Sequence, residues 1–104
     1  TFSHHLGSLR SLNLDQNRIK ILPACFTQLK ALTYCDLSDN QIAELPAAIG
    51  RMTALQTLLM RKNAITWRGI PMGPQGLPKL DNLRHLYLDD NKIEECPWGK
   101  YKSV

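Results

Sequence analysis

The sequence has no apolar run longer than a handful of residues, where a membrane-spanning helix requires roughly 20. Its first residues, Thr1 to Leu6, carry no secretory-signal pattern. A soluble chain without membrane insertion is expected. Cysteine is scarce: three residues, an odd number with no CxxC pair, which excludes a complete disulfide set. Six Gly and six Pro are too few for a disordered low-complexity chain, and no glycine-rich phosphate loop is present. Acid is the scarcer charge. Nine Asp and Glu stand against thirteen Lys and Arg, a net +4, which raises a nucleic-acid or membrane-surface function that only the placement of the charges can test. Within 104 residues there is room for one core. What is abundant is leucine, at 17 of those 104 positions.

The leucines are periodic. At a shift of 23 residues, Leu9, Leu12, Leu14, Asn17, Ile19, Leu22, Pro23 and Leu29 fall on Leu32, Cys35, Leu37, Asn40, Ile42, Leu45, Pro46 and Met52. A third unit continues with Leu55, Leu58, Met60, Asn63 and Ile65, and a fourth with Leu83, Leu86, Leu88, Asn91, Ile93, Cys96 and Pro97. The asparagines recur at intervals of 23, 23 and 28. This pattern resembles the leucine-rich repeat family, whose unit reads L-x-x-L-x-L-x-x-N-x-L. The segments Leu22-Pro23-Ala24-Cys25-Phe26 and Leu45-Pro46-Ala47-Ala48-Ile49 look like its 23-residue cytoplasmic subclass. The resemblance implies an α/β solenoid: a right-handed superhelix with a parallel sheet on the concave face and short helical, 3₁₀ or extended segments on the convex face. One array spans 1–104, with repeats at about 9–31, 32–54, 55–82 and 83–104.

Physical chemistry leads to the same architecture. Residues alternate apolar and polar in Ser11-Leu12-Asn13-Leu14-Asp15, as in a strand with one buried face. Equivalent strands are expected at 34–38, 57–61 and 85–89. A lone strand of this kind cannot bury its apolar face, so the copies must stack. Asn17, Asn40, Asn63 and Asn91 each follow a strand where the chain turns inward. An amide there can satisfy backbone groups of its own coil and of the next one, which predicts an asparagine ladder. The Leu-Pro steps and apolar pairs such as Phe26–Leu29 and Ile49–Met52, spaced by three, predict short 3₁₀ or helical segments on the outer side.

The third unit is longer by five residues, within Trp67 to Leu77. Its three Gly and two Pro argue for an irregular loop, with Ile70-Pro71 as the Leu-Pro step and Trp67 shielding the core. The loop is either a tolerated insertion or a second binding element. The first unit has no polar capping helix, so a piece of a longer array, or one whose ends are covered by partners, is expected. Trp98 and Tyr101 are candidates for a small lid where the array ends.

Little in the chain supports catalysis or metal binding. His4, His5 and His85 lie too far apart for a zinc site. A Ser38–His85–Asp36 triad is broken because strands two apart are separated by about 10 Å. No catalytic residue, cofactor or metal is assigned. Cys35 and Cys96 fall in leucine columns and read as small buried residues, whereas Cys25 reads as a partly exposed thiol. Free thiols fit a reducing compartment, so cytoplasm is expected, with nucleus or cilium as alternatives.

The informative surface is the outward side of the strands. Its sixteen positions include Asp15, Asp36, Asp39, Asp89 and Asp90 against Arg61 and Lys62, so this face is acidic, at −3, in a basic chain. A nucleic-acid reader would gather its cations on one face, and this one does not. Tyr34, Leu59 and Tyr87 form an apolar diagonal across it, with Arg61 and Lys62 beside its centre. Aromatic anchors ringed by charge are typical of protein interfaces. The expected function is a non-enzymatic scaffold or adaptor that binds another protein, one with a basic patch, through Tyr34, Asp36, Leu59, Arg61, His85, Tyr87 and Asp89. Two alternatives stand beside it: a structural subunit of a large ciliary or organellar assembly held by its edges and convex side, and a regulatory segment of a larger signalling enzyme.

Overall fold

Four three-residue strands, β1 (Ser11–Asn13), β2 (Tyr34–Asp36), β3 (Thr57–Leu59) and β4 (His85–Tyr87), form one parallel sheet in sequence order. The computed structural model describes residues 7–93. Each of β1, β2 and β3 is followed by a turn and an outer segment that returns the chain to the next strand. These outer segments are short 3₁₀ turns at Ala24–Gln28, Ile49–Arg51, Trp67–Gly69 and Leu77–Lys79. Of the outer conformations expected from sequence, 3₁₀ is therefore the one adopted, consistent with runs too short and too proline-punctuated for an α-helix.

The strand register reproduces the sequence shift. Leu12 pairs with Cys35, Cys35 with Leu58 and Leu58 with Leu86. The inward columns form the core, in which Leu32, Cys35, Leu37, Ile42, Ile49, Met52, Leu55, Leu58, Met60 and Ile65 are all fully buried. Burial pushes the Cys35 thiol up to about 12, with the neighbouring Asp36 carboxylate adding to the shift. Cys25 is half-buried. Both match their sequence columns.

The asparagines make the ladder, but they bridge to the preceding coil and not, as expected, to the next, because each side chain points back from the turn toward the coil already laid down. Asn40 Nδ2 donates to its own Leu37 carbonyl and back to Leu14 of the preceding coil, while its Oδ1 accepts the Ile19 N–H at 3.0 Å. Asn63 and Asn91 repeat the pattern on Leu37 and Ile42, and on Met60 and Ile65. Asn17 bonds the Leu14 and Asp15 carbonyls of its own coil. The residue before each of these asparagines, Gln16, Asp39, Lys62 and Asp90, has a positive φ of 54–60°. This left-handed step turns the chain off the sheet so that the next side chain points inward, and it costs roughly 1–2 kcal/mol for a non-glycine residue.

The long third unit keeps Ile70 in the core column, 4% exposed like Leu45. Its extra residues pack against the preceding coil: the Leu45 N–H donates to the Gly69 carbonyl and the Gly50 N–H to the Gln75 carbonyl, both at 2.9 Å. Trp67 is half-buried, with the Arg68 guanidinium 5.0 Å from its ring centre. The expectations for His4, His5, Cys96, Trp98 and Tyr101 lie outside the described residues.

Candidate functional site

Side-chain alternation sends Tyr34, Asp36, Thr57, Leu59, His85 and Tyr87 to the solvent side of the sheet. Tyr34 and Tyr87 are 37% and 36% exposed, among the few large apolar groups left open to solvent. Leu59 and Tyr87 are direct cross-strand partners, and Tyr34 lies on the adjoining strand opposite Thr57. The diagonal read from sequence thus runs across three adjacent strands, β2, β3 and β4.

Around Tyr87 the side chains order one another. The Arg61 guanidinium carbon sits 4.4 Å from the centre of the Tyr87 ring, and Arg61 Nε is 3.1 Å from an Asp89 carboxylate oxygen. His85, two residues before Tyr87 and so on the same side of the strand, is parallel to it, with ring planes 5° apart and centroids 6.4 Å apart. The Arg61 and Asp89 side chains are 45% and 58% exposed, so their ion pair contributes at most about 1 kcal/mol to stability. Its effect is on placement: Arg61 lies over the Tyr87 ring while paired with Asp89, and His85, Tyr87 and Arg61 form a platform beside Leu59.

Two residues of the outward set behave differently from the simple alternation. Ser38 is only 8% exposed, and its Oγ accepts the Arg61 N–H at 3.2 Å. The backbone has begun its turn there, so Ser38 is part of the frame and not of the open face. Asp36 is half-buried, and its Oδ1 accepts the Ser38 N–H at 3.0 Å, as Asn13 Oδ1 does for Asp15. Asp36 therefore shapes the strand exit as well as charging the face. The left-handed residues were not legible in sequence, because Gln16 and Lys62 are not residue types that prefer that conformation; Asp39 and Asp90 are the only hint.

Charge is divided between the two sides of the sheet as the sequence columns predict. Among the described residues, the sheet-side positions hold Arg61 and Lys62 against five Asp, while the remaining surface holds nine Lys and Arg against Glu44 and Asp81. Those nine cations are spread over flanks, turns and outer segments. No helix among the described residues is long and apolar enough to cross a membrane.

Comparison with known proteins agrees with the fold. Two family models, each described as a leucine rich repeat, match residues 1–42 and 82–99. A leucine-rich repeat protein of Leptospira interrogans of known structure superposes with a TM-score of 0.75 at 37% identity, over 91% of this chain and 22% of that one. The adenylate cyclase of Schizosaccharomyces pombe is 34% identical over 87 residues, which is 84% of this chain and 5% of the relative. Human mimecan is 34% identical over 100 residues, 95% of this chain and 32% of the relative. The chain thus spans no more than a third of these proteins. With the ladder, the register and the family matches in agreement, this chain belongs to the leucine-rich repeat family.

Proposed function

We propose that the protein is a non-enzymatic interaction module that binds a partner protein on its concave sheet. The family and fold are those of protein-interaction modules that are generally not enzymes. The observation that carries the concave site is the platform of His85, Tyr87 and Arg61, held by Asp89 and flanked by Leu59 and Tyr34. Such aromatic and arginine anchors are where interface energy concentrates. The net −3 of the sheet side calls for a partner with a basic patch, which would steer encounter and make it salt-sensitive. Replacing Leu59 by Asp together with Tyr87 by Ala is expected to abolish co-purification of the native partner while circular dichroism is unchanged. Retention of every native partner by the folded double variant would sink this reading.

A reducing intracellular compartment is part of the same proposal, and so is membership of the 23-residue subclass. The first is supported by the free thiols Cys25 and Cys35, the second by the two register steps of 23 and the Leu-Pro pairs at 22–23 and 45–46. A second reading, a regulatory segment of a larger signalling enzyme, is favoured by the similarity to the S. pombe adenylate cyclase. The complete gene distinguishes the two, since only the second requires a catalytic domain in the same polypeptide.

A further inference from the structure

The flank beyond the asparagine ladder is not explained by the concave site. There the segments that follow Asn17, Asn40 and Asn63 lead the chain from the sheet to its outer side, and they hold Arg18, Lys20 and Arg68 against Glu44. This flank is basic where the sheet is acidic. It contains a cleft of about 390 Å³ whose lining includes Lys20, Leu22, Ala43, Glu44, Ala47 and Arg68. The strand order β1-β2-β3 puts residues 43–47 of the second coil in the middle of the cleft, with Lys20 and Leu22 of the first coil on one side and Arg68 of the third on the other.

The insertion closes one side of this cleft and leaves the other open. On the side of the third coil, the Leu45 N–H donates to the Gly69 carbonyl at 2.9 Å, and Gly69 leaves no room for a Cβ beside the Ala43 carbonyl. The repeat places the equivalent bond of the preceding step between the Leu22 N–H and the Glu44 carbonyl. Among the described residues that bond is not made, and neither group has another protein partner. A free donor and a free acceptor therefore border the cleft, over a floor that includes the small, exposed Ala43 and Ala47.

These features fit an extended polypeptide. Its main chain can pair with the open groups as an added strand pairs with a sheet edge, and its small apolar side chains can rest on the alanines. Charge decides its composition. Among the described residues neither Lys20 nor Arg68 is paired with Glu44 or with any other carboxylate, and the Arg68 guanidinium is set against the Trp67 ring. Two cations beside one acid select a partner of negative charge. No aromatic side chain lines the cleft, so it offers no surface on which the bases of a nucleic acid could stack. We propose that this cleft binds an extended acidic peptide segment of a partner protein, at a site separate from the concave sheet.

Amide NMR spectra of the labelled protein test this, using as probe a mixture of hexapeptides with Asp or Glu at the four outer positions and varied residues at the central two. At saturation the Leu22 amide is expected to shift and its hydrogen exchange to slow by about tenfold or more. The same mixture with Lys at the outer positions should leave it unchanged. Lys20→Glu with Arg68→Glu should abolish the effect. Lys30→Glu with Arg51→Glu, the same change of charge on the segments that lead into β2 and β3, should preserve it. Glu44→Gln, which removes the opposing charge, should tighten binding several-fold. None of these variants alters a concave residue, so their outcome is independent of the concave reading. The proposal is overturned by failure of the acidic mixture to protect Leu22, by protection that persists in the Lys20 and Arg68 variant or is lost equally in the Lys30 and Arg51 variant, by weaker binding in Glu44→Gln, or by equal protection from a thymidine hexanucleotide.

Discussion

At the scale of single residues, the same asparagine has different worth at different rungs. Asn63 is 8% exposed, and its Nδ2 and Oδ1 together serve Leu37, Met60, Arg61 and Ile42. Asn63→Ala leaves buried backbone groups unpaired and is expected to cost about 2–3 kcal/mol, whereas Asn17→Ala, at an exposed rung, should cost under about 1 kcal/mol. Urea unfolding midpoints at constant slope give both values. The buried thiol predicts a pH dependence. Cys35 is neutral in the folded state up to about 12, against an ordinary value of 9.0, so it favours the folded state below pH 9. Above that the unfolded chain loses its thiol proton first, and the contribution declines as pH rises toward 12, at about 1.4 kcal/mol per pH unit. Cys35→Ala should have lower stability at pH 8 but a shallower decline from pH 9 to 11 than the unmodified protein. In the folded protein Cys25 should react with a thiol reagent at neutral pH while Cys35 does not.

At the scale of elements, the strands are only three residues long, and the turns that follow them do much of the positioning. Lys62, at a φ of 54°, sets the exit of β3 next to the Arg61 platform. Lys62→Gly relieves a left-handed lysine and is expected to be neutral or to stabilise by up to about 1 kcal/mol, while a β-branched Val there should destabilise. The insertion in the third unit is likewise held by close backbone approach. A Cβ on Gly69 would run into the Ala43 carbonyl, and one on Gly50 would come within 2.5 Å of the Gln75 carbonyl. Gly69→Ala should therefore cost about 1–3 kcal/mol, read as a lowered thermal midpoint, because no flexible side chain stands there to move aside. The sequence reading of this segment as an irregular loop with Ile70 in the core column holds. Its docking onto the preceding coil was not legible, since the glycines report tight approach without naming the neighbour.

At the scale of the whole molecule, each coil touches only its neighbours, so stability should fall toward the ends. Amides of β2 and β3, whose coils hold most of the fully buried side chains, are expected to exchange most slowly, and those of β1 faster. Equal protection in β1 and β3 by hydrogen exchange would contradict this. The distribution of charge is also a property of the whole stack. A chain that is +4 overall carries an acidic sheet face, and its other cations among the described residues lie on the remaining sides.

The period, the core columns, the ladder positions and the parallel register were determined by the sequence alone. Each is a local pattern repeated four times, and repetition in a one-dimensional stack converts sequence offset directly into spatial neighbourhood. Tertiary structure decided what repetition leaves open. It turned Ser38 into a backbone acceptor, gave Asp36 a second task at the strand exit, laid Arg61 across Tyr87 and packed the insertion onto the coil before it. These outcomes depend on side-chain rotamers and left-handed turns at positions where the repeats differ, and a pattern of equivalent positions carries no information about such differences.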